Sequence, residues 1–214
     1  MEDKQRHIKL RLLIKQLNKS RKKQAQKIDI LCNDLIAAQR DFIKRLGIIS
    51  FVASFCESIV GTTDLDNLLA TAVKLIKAEN GETNVTFFLC QGLAQGAEGL
   101  QMHMFESSEP MALDRQQLEN CFCPELVENI CKSNKVCHLK DMFAAGLQGN
   151  LTELSKISAV TIPLGQFGSS LGFMLVYRSS QDRLTSDEIQ KISAISHGLS
   201  RAIASCQTLS RAKL

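Results

Sequence analysis

No run of residues in this chain is long and apolar enough to cross a bilayer, which takes about 18 nearly uninterrupted hydrophobic residues. The most apolar stretch, Leu46 to Phe55, is broken by Ser50 and Ser54, and the first residues carry charge where a secretory signal would be apolar. Both absences lead to the expectation of a cytoplasmic protein. A glycine-rich phosphate loop, a Ser-His-Asp set and a carboxylate pair flanking a pocket are also missing, so the sequence supports no catalytic assignment and the chain reads as a non-enzyme. Neither proline nor glycine occurs from Ile8 to Leu46, so nothing there interrupts a helix. Aromatic residues are absent from the basic run Lys19 to Lys27, which leaves nothing to stack on bases.

The 214 residues allow one large domain or a domain with an appendage, and a hydrophobic content of 44% is ample for a core. The eight cysteines fit a cytosolic protein as reduced thiols, because a chain of this size needs no disulfide staples. Net charge is +4, and its placement matters more than its total. Residues 1–27 hold ten Lys or Arg against Glu2 and Asp3, a net +8, which leaves −4 for the remainder. The positive charge therefore belongs to an N-terminal arm.

Within that arm and beyond it, apolar residues recur at Leu10, Leu13, Leu17, Ile28, Leu31, Leu35, Ala38, Phe42, Leu46 and Ile49, mostly three or four apart. Such spacing makes a narrow seam on a helix, interrupted at Ser20 and Gln24. One helix cannot bury its own seam. A second copy can, so residues 1–49 are expected to form a long basic coiled-coil helix that dimerises through Leu31, Leu35, Phe42 and Leu46. The competing reading packs only Ile28 onward against the domain and leaves the first 25 or so residues frayed. For the basic run, a solvated helix face is favoured over nucleic-acid or membrane contact.

After Gly61-Thr-Thr-Asp64, an apolar stripe from Leu65 to Ile76 predicts a helix that stops at Asn80-Gly81. Thr83 to Cys90 sets Val85, Phe87 and Leu89 against Thr86 and Phe88, and Leu100 to Phe105 groups Leu100, Met102 and Met104 opposite Gln101 and His103. These read as two paired strands separated by a glycine-rich loop over Gln91 to Gly99. Short helices are expected near Asp114 to Asn120 and Pro124 to Lys132, then a strand Val136 to Leu139 and a loop with one helical turn over Lys140 to Lys156. Ser158 to Leu164 and Leu171 to Tyr177 form a hairpin about a turn at Gly165 to Ser170. The second of these strands is apolar on both faces and belongs mid-sheet, while Pro163 confines its own strand to pairing on one side near its end. Thr185-Ser-Asp-Glu188 is a capping box, and it opens a helix carrying Ile189, Ile192, Ile195, Leu199 and Ile203 on one face.

This order of a strand ending in Pro163-Leu164, a glycine-containing strand, the Leu-Thr-Ser-Asp-Glu cap and a closing helix resembles the C-terminal half of a GAF domain. The resemblance extends over roughly Ser50 to Cys206. It implies an α+β fold, an antiparallel sheet with helices packed on one face, preceded here by the long N-terminal helix. It further implies a sensory domain over residues 50–206, with 207–214 continuing the C-terminal signalling helix and Leu199 and Ile203 joining the dimer contact. A small-molecule ligand in a pocket between Leu100 and Leu154, and an output domain such as a cyclase, phosphodiesterase, kinase or transcription regulator, are what the family leads one to expect. The residues identify neither ligand nor cofactor.

One cluster invites chemistry: Cys121, Cys123, Cys131, Cys137 and His138. Thiolates and imidazole are zinc and iron–sulfur ligands, but a single pair separated by one residue does not match the two tight pairs of a structural site, so no metal is assigned. Cys121, Cys123 and Cys137 remain candidates for a redox-sensing pair, against the plainer reading of cysteine as a small apolar residue. The alternative function is thus a cysteine-based redox sensor or an enzyme similar to the GAF methionine-sulfoxide reductases, although their Gly-Val-Cys-Gly segment is absent. Cys137-His138 resembles the pair that holds a bilin in some GAF domains, without the rest of that signature. Asn134-Lys135 and Asp187-Glu188 resemble part of the cyclic-nucleotide pattern, without its phenylalanine. His103 is a further ligand-pocket candidate, more simply explained as a surface hydrogen-bonding residue.

Overall fold

The computed structural model describes residues 2–91, 99–105, 114–133, 135–149, 151–166 and 169–212. By their contacts the residues divide into two units, Met1–Ile49 and Ser50–Leu214.

The first unit is helical throughout its described residues, as part of α1 (Glu2–Ile59). Its seam is bare: Leu31, Leu35, Phe42 and Leu46 are 66%, 70%, 61% and 49% exposed. Leu12, Ile14, Ile30, Ile36 and Ile43 are exposed as well.

The second unit is built on a five-stranded antiparallel sheet of order β2-β1-β5-β4-β3, comprising β1 (Asn84–Gln91), β2 (Gly99–His103), β3 (Cys137–His138), β4 (Ile157–Gln166) and β5 (Ser169–Ser179). The doubly apolar segment Leu171 to Tyr177 is the central strand. Pro163 pairs with Phe173 on one side, whereas β3 meets β4 only at Thr161 and Val160, so the missing proline N–H falls where no ladder needs it.

One face of the sheet is covered by α2 (Leu65–Asn80), α7 (Ser186–Ala212) and the end of α1 from Phe51. Asp64 caps α2 by accepting the Asn67 N–H, and Gly81, at φ +67°, ends the helix. At α7 the capping box forms: the Glu188 N–H donates to the Thr185 hydroxyl, and the Glu188 carboxylate accepts from the Thr185 N–H and hydroxyl. Leu68, Leu69, Ile76, Ile192 and Ile195 are fully buried against Val85, Phe87, Val160, Ile162, Met174 and Val176. Leu199 and Ile203 lie in this same core at 0% exposure, which corrects their assignment to a dimer seam: the face of α7 that carries them is spent on the sheet.

The opposite face is covered by α3 (Arg115–Cys121), α4 (Pro124–Ser133), α5 (Leu139–Ala144) and α6 (Leu151–Leu154). Asp114 opens α3 with a capping box that the sequence pattern did not single out. The segment read as a loop with one helical turn holds two, α5 and α6, too short to show a period. The loop read over Gln91 to Gly99 falls mainly on 92–98, outside the described residues, as do Phe167, Gly168 and Asn134.

Strict alternation fails at two places. Gly172 takes φ +128° in β5, and its Cα approaches β1 so closely that an added Cβ would stand 2.0 Å from the Phe88 carbonyl oxygen. The twist there carries Leu171 to the long-helix face, although Phe173, Leu175 and Tyr177 hold the other. Met104, at φ +57°, likewise leaves the face of Met102 and packs on the long-helix core.

Candidate functional site

The face under α3 to α6 is where the candidate pocket was expected, and its described centre is filled by side chains. Phe88 and Phe173 stack with centroids 4.7 Å apart, and Phe122 of the α3–α4 junction tilts onto both at 4.8 and 5.2 Å. Leu118, Leu126, Ile130, Met142 and Leu154 close over these rings, and Leu175 and Tyr177 continue the layer. Aromatic pairs in this geometry add about 0.5–1.5 kcal/mol each beyond the area they bury.

The cysteines named from the sequence are distributed around this layer. Cys121 is buried; its Sγ donates to the Gln117 carbonyl at 3.2 Å, and Gly149 packs against it so tightly that a Cβ there would meet Sγ at 2.5 Å. Burial pushes its thiol pKa up. Cys123, half-buried, points Sγ at the Gly146 carbonyl, 3.9 Å away. Cys137 sits on the edge strand β3, its thiol pKa raised by burial and by the Asp141 carboxylate. His138 follows it, its backbone N–H donating to Asp141 at the start of α5. Among the described residues, no three His, Cys, Asp or Glu side chains gather in a metal-binding arrangement. His103 lies on the other face, beside α2: its Nδ1 is 3.7 Å from the Asp66 carboxylate, and burial lowers its pKa against the raising effect of Asp66.

Two groupings escaped the sequence reading. Arg178, at the end of β5 and 6% exposed, donates to the Thr83 hydroxyl, the Asn80 carbonyl, Glu188 at 2.9 Å and Asp182 at 3.3 Å. It therefore ties the C-terminus of α2, where the cation completes the orphaned Asn80 carbonyl, and the strand end to the first turn of α7. Burial works to raise the Glu188 pKa, and the Thr185 hydrogen bonds with the Arg178 guanidinium outweigh it and hold the carboxyl below its usual value. The second grouping is a thiol pair. Cys131 of α4 is in hydrogen-bond contact with Cys90 of β1 and with Ser170 of β5, and these contacts, Cys90 first, bring its pKa down to about 7 against the effect of burial. Cys90 and Cys131 are both half-buried.

An open groove of about 500 Å³ runs between β3 and α7, lined by Val136, His138, Ser186, Ile189, Gln190, Ser193 and Ala194. No described helix is long and apolar enough to cross a membrane.

No protein-family model matches the sequence, and neither does any curated protein. Solved structures do match. The GAF domain of a phosphoenolpyruvate-protein phosphotransferase from Coxiella burnetii superimposes with a TM-score of 0.54 at 14% identity, covering 79% of this chain and 98% of its own. The fold is that of a GAF domain. A GAF sensor protein from Burkholderia vietnamiensis aligns at TM-score 0.52 and 11% identity, over 78% of this chain and 94% of its own. The GAF domain of the Acinetobacter phosphoenolpyruvate-protein phosphotransferase aligns at 0.51 and 11%, over 75% and 95%. The expected architecture of an antiparallel GAF sheet, packed helices and a long N-terminal helix is therefore present, with the second sheet face closed by four short helices.

Proposed function

We propose that this chain is a regulatory module, a GAF-fold domain that pairs with a second copy through its N-terminal helix and passes a signal to an output domain. The observation that carries the reading is the bare seam of residues 10–49. A helix that leaves Leu31, Leu35, Phe42 and Leu46 about half or more exposed has apolar surface that a partner helix would remove from water, at about 25 cal/mol per Å². Other GAF domains in sensor and phosphotransferase proteins support a sensory role by their fold. A small molecule bound on the α3–α6 side of the sheet would shift the packing of α7 and the end of α1, which cover the opposite side of the same strands.

Sedimentation of the full chain tests the pairing. The expected result is a dimer at micromolar concentration that Leu35→Glu with Phe42→Glu converts to a monomer while the Ser50–Leu214 unit stays folded. A full chain that sediments as a single subunit at that concentration removes the proposal. Native mass spectrometry of the same sample reports any retained small molecule.

A further inference from the structure

We infer that the first part of α1 is a cationic helix that docks along an anionic lipid surface, with Leu10, Leu13, Ile14 and Leu17 turned into the acyl boundary and its Lys and Arg side chains on the headgroups. From Lys4 to Lys27 the helix has no break, and every residue is exposed. At about 100° per residue, Leu10, Leu13, Ile14 and Leu17 fall within an arc of about 100°. All four are more than half exposed. Lys4, Arg11, Lys15, Lys19 and Lys22 fall within about 80° on the far side of the same helix. Arg6 and Arg21 stand in line with the apolar stripe, one before its first residue and one after its last. There a long side chain lays its methylenes along a lipid boundary and lifts its guanidinium to the phosphates.

A second copy of the helix does not supply what this segment needs. Residues 1–27 carry a net +8, and residues 28–49 set Asp29, Asp34 and Asp41 against Arg40, Lys44 and Arg45, a net of zero. Paired in parallel, two arms bring +8 beside +8; paired antiparallel, each arm meets a stretch of no net charge. Neither orientation neutralises the arm. Its apolar stripe is also cut off from the rest of the seam, because Ser20 and Gln24 hold the seam positions between Leu17 and Ile28. A stripe of two turns is too short to pair alone. Residues 28–49 therefore carry the proposed dimer contact, and the arm is left for another partner.

That partner has to be anionic and has to accept aliphatic side chains. A nucleic-acid duplex meets only the first condition, since phosphate contacts use Lys and Arg while Leu and Ile facing the backbone stay in water. An anionic bilayer meets both, with phosphates at the depth of the cations and hydrocarbon just beneath. The helix lies in the interface plane and spans nothing, so it needs no bilayer-crossing length. This assigns a surface to the basic run, where the sequence alone favoured a solvated face. Docking would recruit the Ser50–Leu214 unit to that lipid surface, whether or not the chain pairs.

The test is co-sedimentation of the full chain with vesicles of phosphatidylcholine, alone or mixed with phosphatidylserine, in low and high salt, beside retention on a DNA duplex. Binding to the serine-containing vesicles should exceed binding to the neutral ones by about tenfold or more, and should weaken by a similar factor in high salt as the cations are screened. These two comparisons need no variant to fold. Leu13→Glu with Leu17→Glu retains helix-forming residues and should weaken binding to the anionic vesicles by about tenfold or more. Lys15→Gln with Lys22→Gln, which leaves the stripe intact, should cost about tenfold through charge alone. Equal binding to neutral and anionic vesicles, or no loss on Leu13→Glu with Leu17→Glu, overturns the inference. So does retention on the duplex that is tighter than on the anionic vesicles and survives that substitution. A chain that binds anionic vesicles yet sediments as a single subunit in their absence removes the proposed dimer and leaves the lipid contact standing.

Discussion

Replacing Arg178 with methionine keeps most of the side chain's volume and removes its charge and donors, and the structure fixes what is left behind. The Thr83 hydroxyl still donates to the Asn80 carbonyl at 2.9 Å, but it loses the guanidinium it accepts from, and Glu188 loses its buried cation. Breaking a buried ion pair from one side costs about 3–5 kcal/mol, and for a unit of this size each kcal/mol moves the melting temperature by about 2–4 °C, so a fall of about 10 °C is expected. The assay is intrinsic: the chain has one tyrosine and no tryptophan, and Tyr177, 1% exposed, adjoins Arg178, so tyrosine fluorescence reports the melting of this unit without interference from the N-terminal helix. Glu188→Gln separates the ion pair from the cap, because glutamine still completes a capping box; it should cost about 1–2 kcal/mol at pH 7. The Glu188 carboxyl is held below its ordinary value in the folded state, so the unfolded chain binds the proton first as pH falls. Its contribution is therefore complete above about pH 4.5 and is lost as pH drops through the folded value, where the Gln variant and the parent should converge. In the Arg178→Met background the Gln substitution should be neutral or stabilising. Equal costs of Glu188→Gln in both backgrounds, or an Arg178→Met loss below about 1 kcal/mol, would refute the reasoning.

Gly172→Ala places a Cβ 2.0 Å from the Phe88 carbonyl at φ +128°, forcing β1 away from β5, and should cost about 4 kcal/mol or more, read as lost soluble yield or a collapsed melting transition. Gly146→Ala, also at positive φ but with nothing within 4 Å, provides the contrast and should cost only about 1 kcal/mol. Phe173→Ala opens the centre of the three-ring layer and should cost about 3–5 kcal/mol by the same fluorescence assay.

The strands and long helices were legible because each carries a repeated physical requirement: β1 alternates, α2 and α7 keep a three-or-four spacing, and Thr185 with Glu188 announces its helix. What was not legible rests on single residues whose meaning comes from distant partners. Arg178 at a strand end looks like a solvated charge until Asn80, Thr83 and Glu188 arrive from two helices and a loop. Leu199 and Ile203 fit a seam by spacing alone, and only the presence of a sheet beneath α7 decides what they meet. Strict alternation would put Leu171 and Met104 on the wrong face, because a local positive φ, at Gly172 and at Met104 itself, overrides a period of two. Among the thiols, sequence proximity drew notice to Cys121 and Cys123, whereas the pair in contact joins a strand to a helix from a different part of the chain.

The ring layer also bears on where a ligand could bind under the proposed function. A ligand that bound at the centre of the α3–α6 face would have to displace Phe88, Phe122 or Phe173, giving up their mutual contacts before gaining its own. If Phe173→Ala costs its full 3–5 kcal/mol, those rings hold the domain together, and any recognition passes to the perimeter, where Cys90, Cys131 and Ser170 lie. If it costs under about 1 kcal/mol, the layer is loosely held and its replacement by a small apolar molecule becomes the simplest way to load the domain. The stability of one variant therefore separates ligand binding at the rim from ligand binding at the centre under the proposed sensory role.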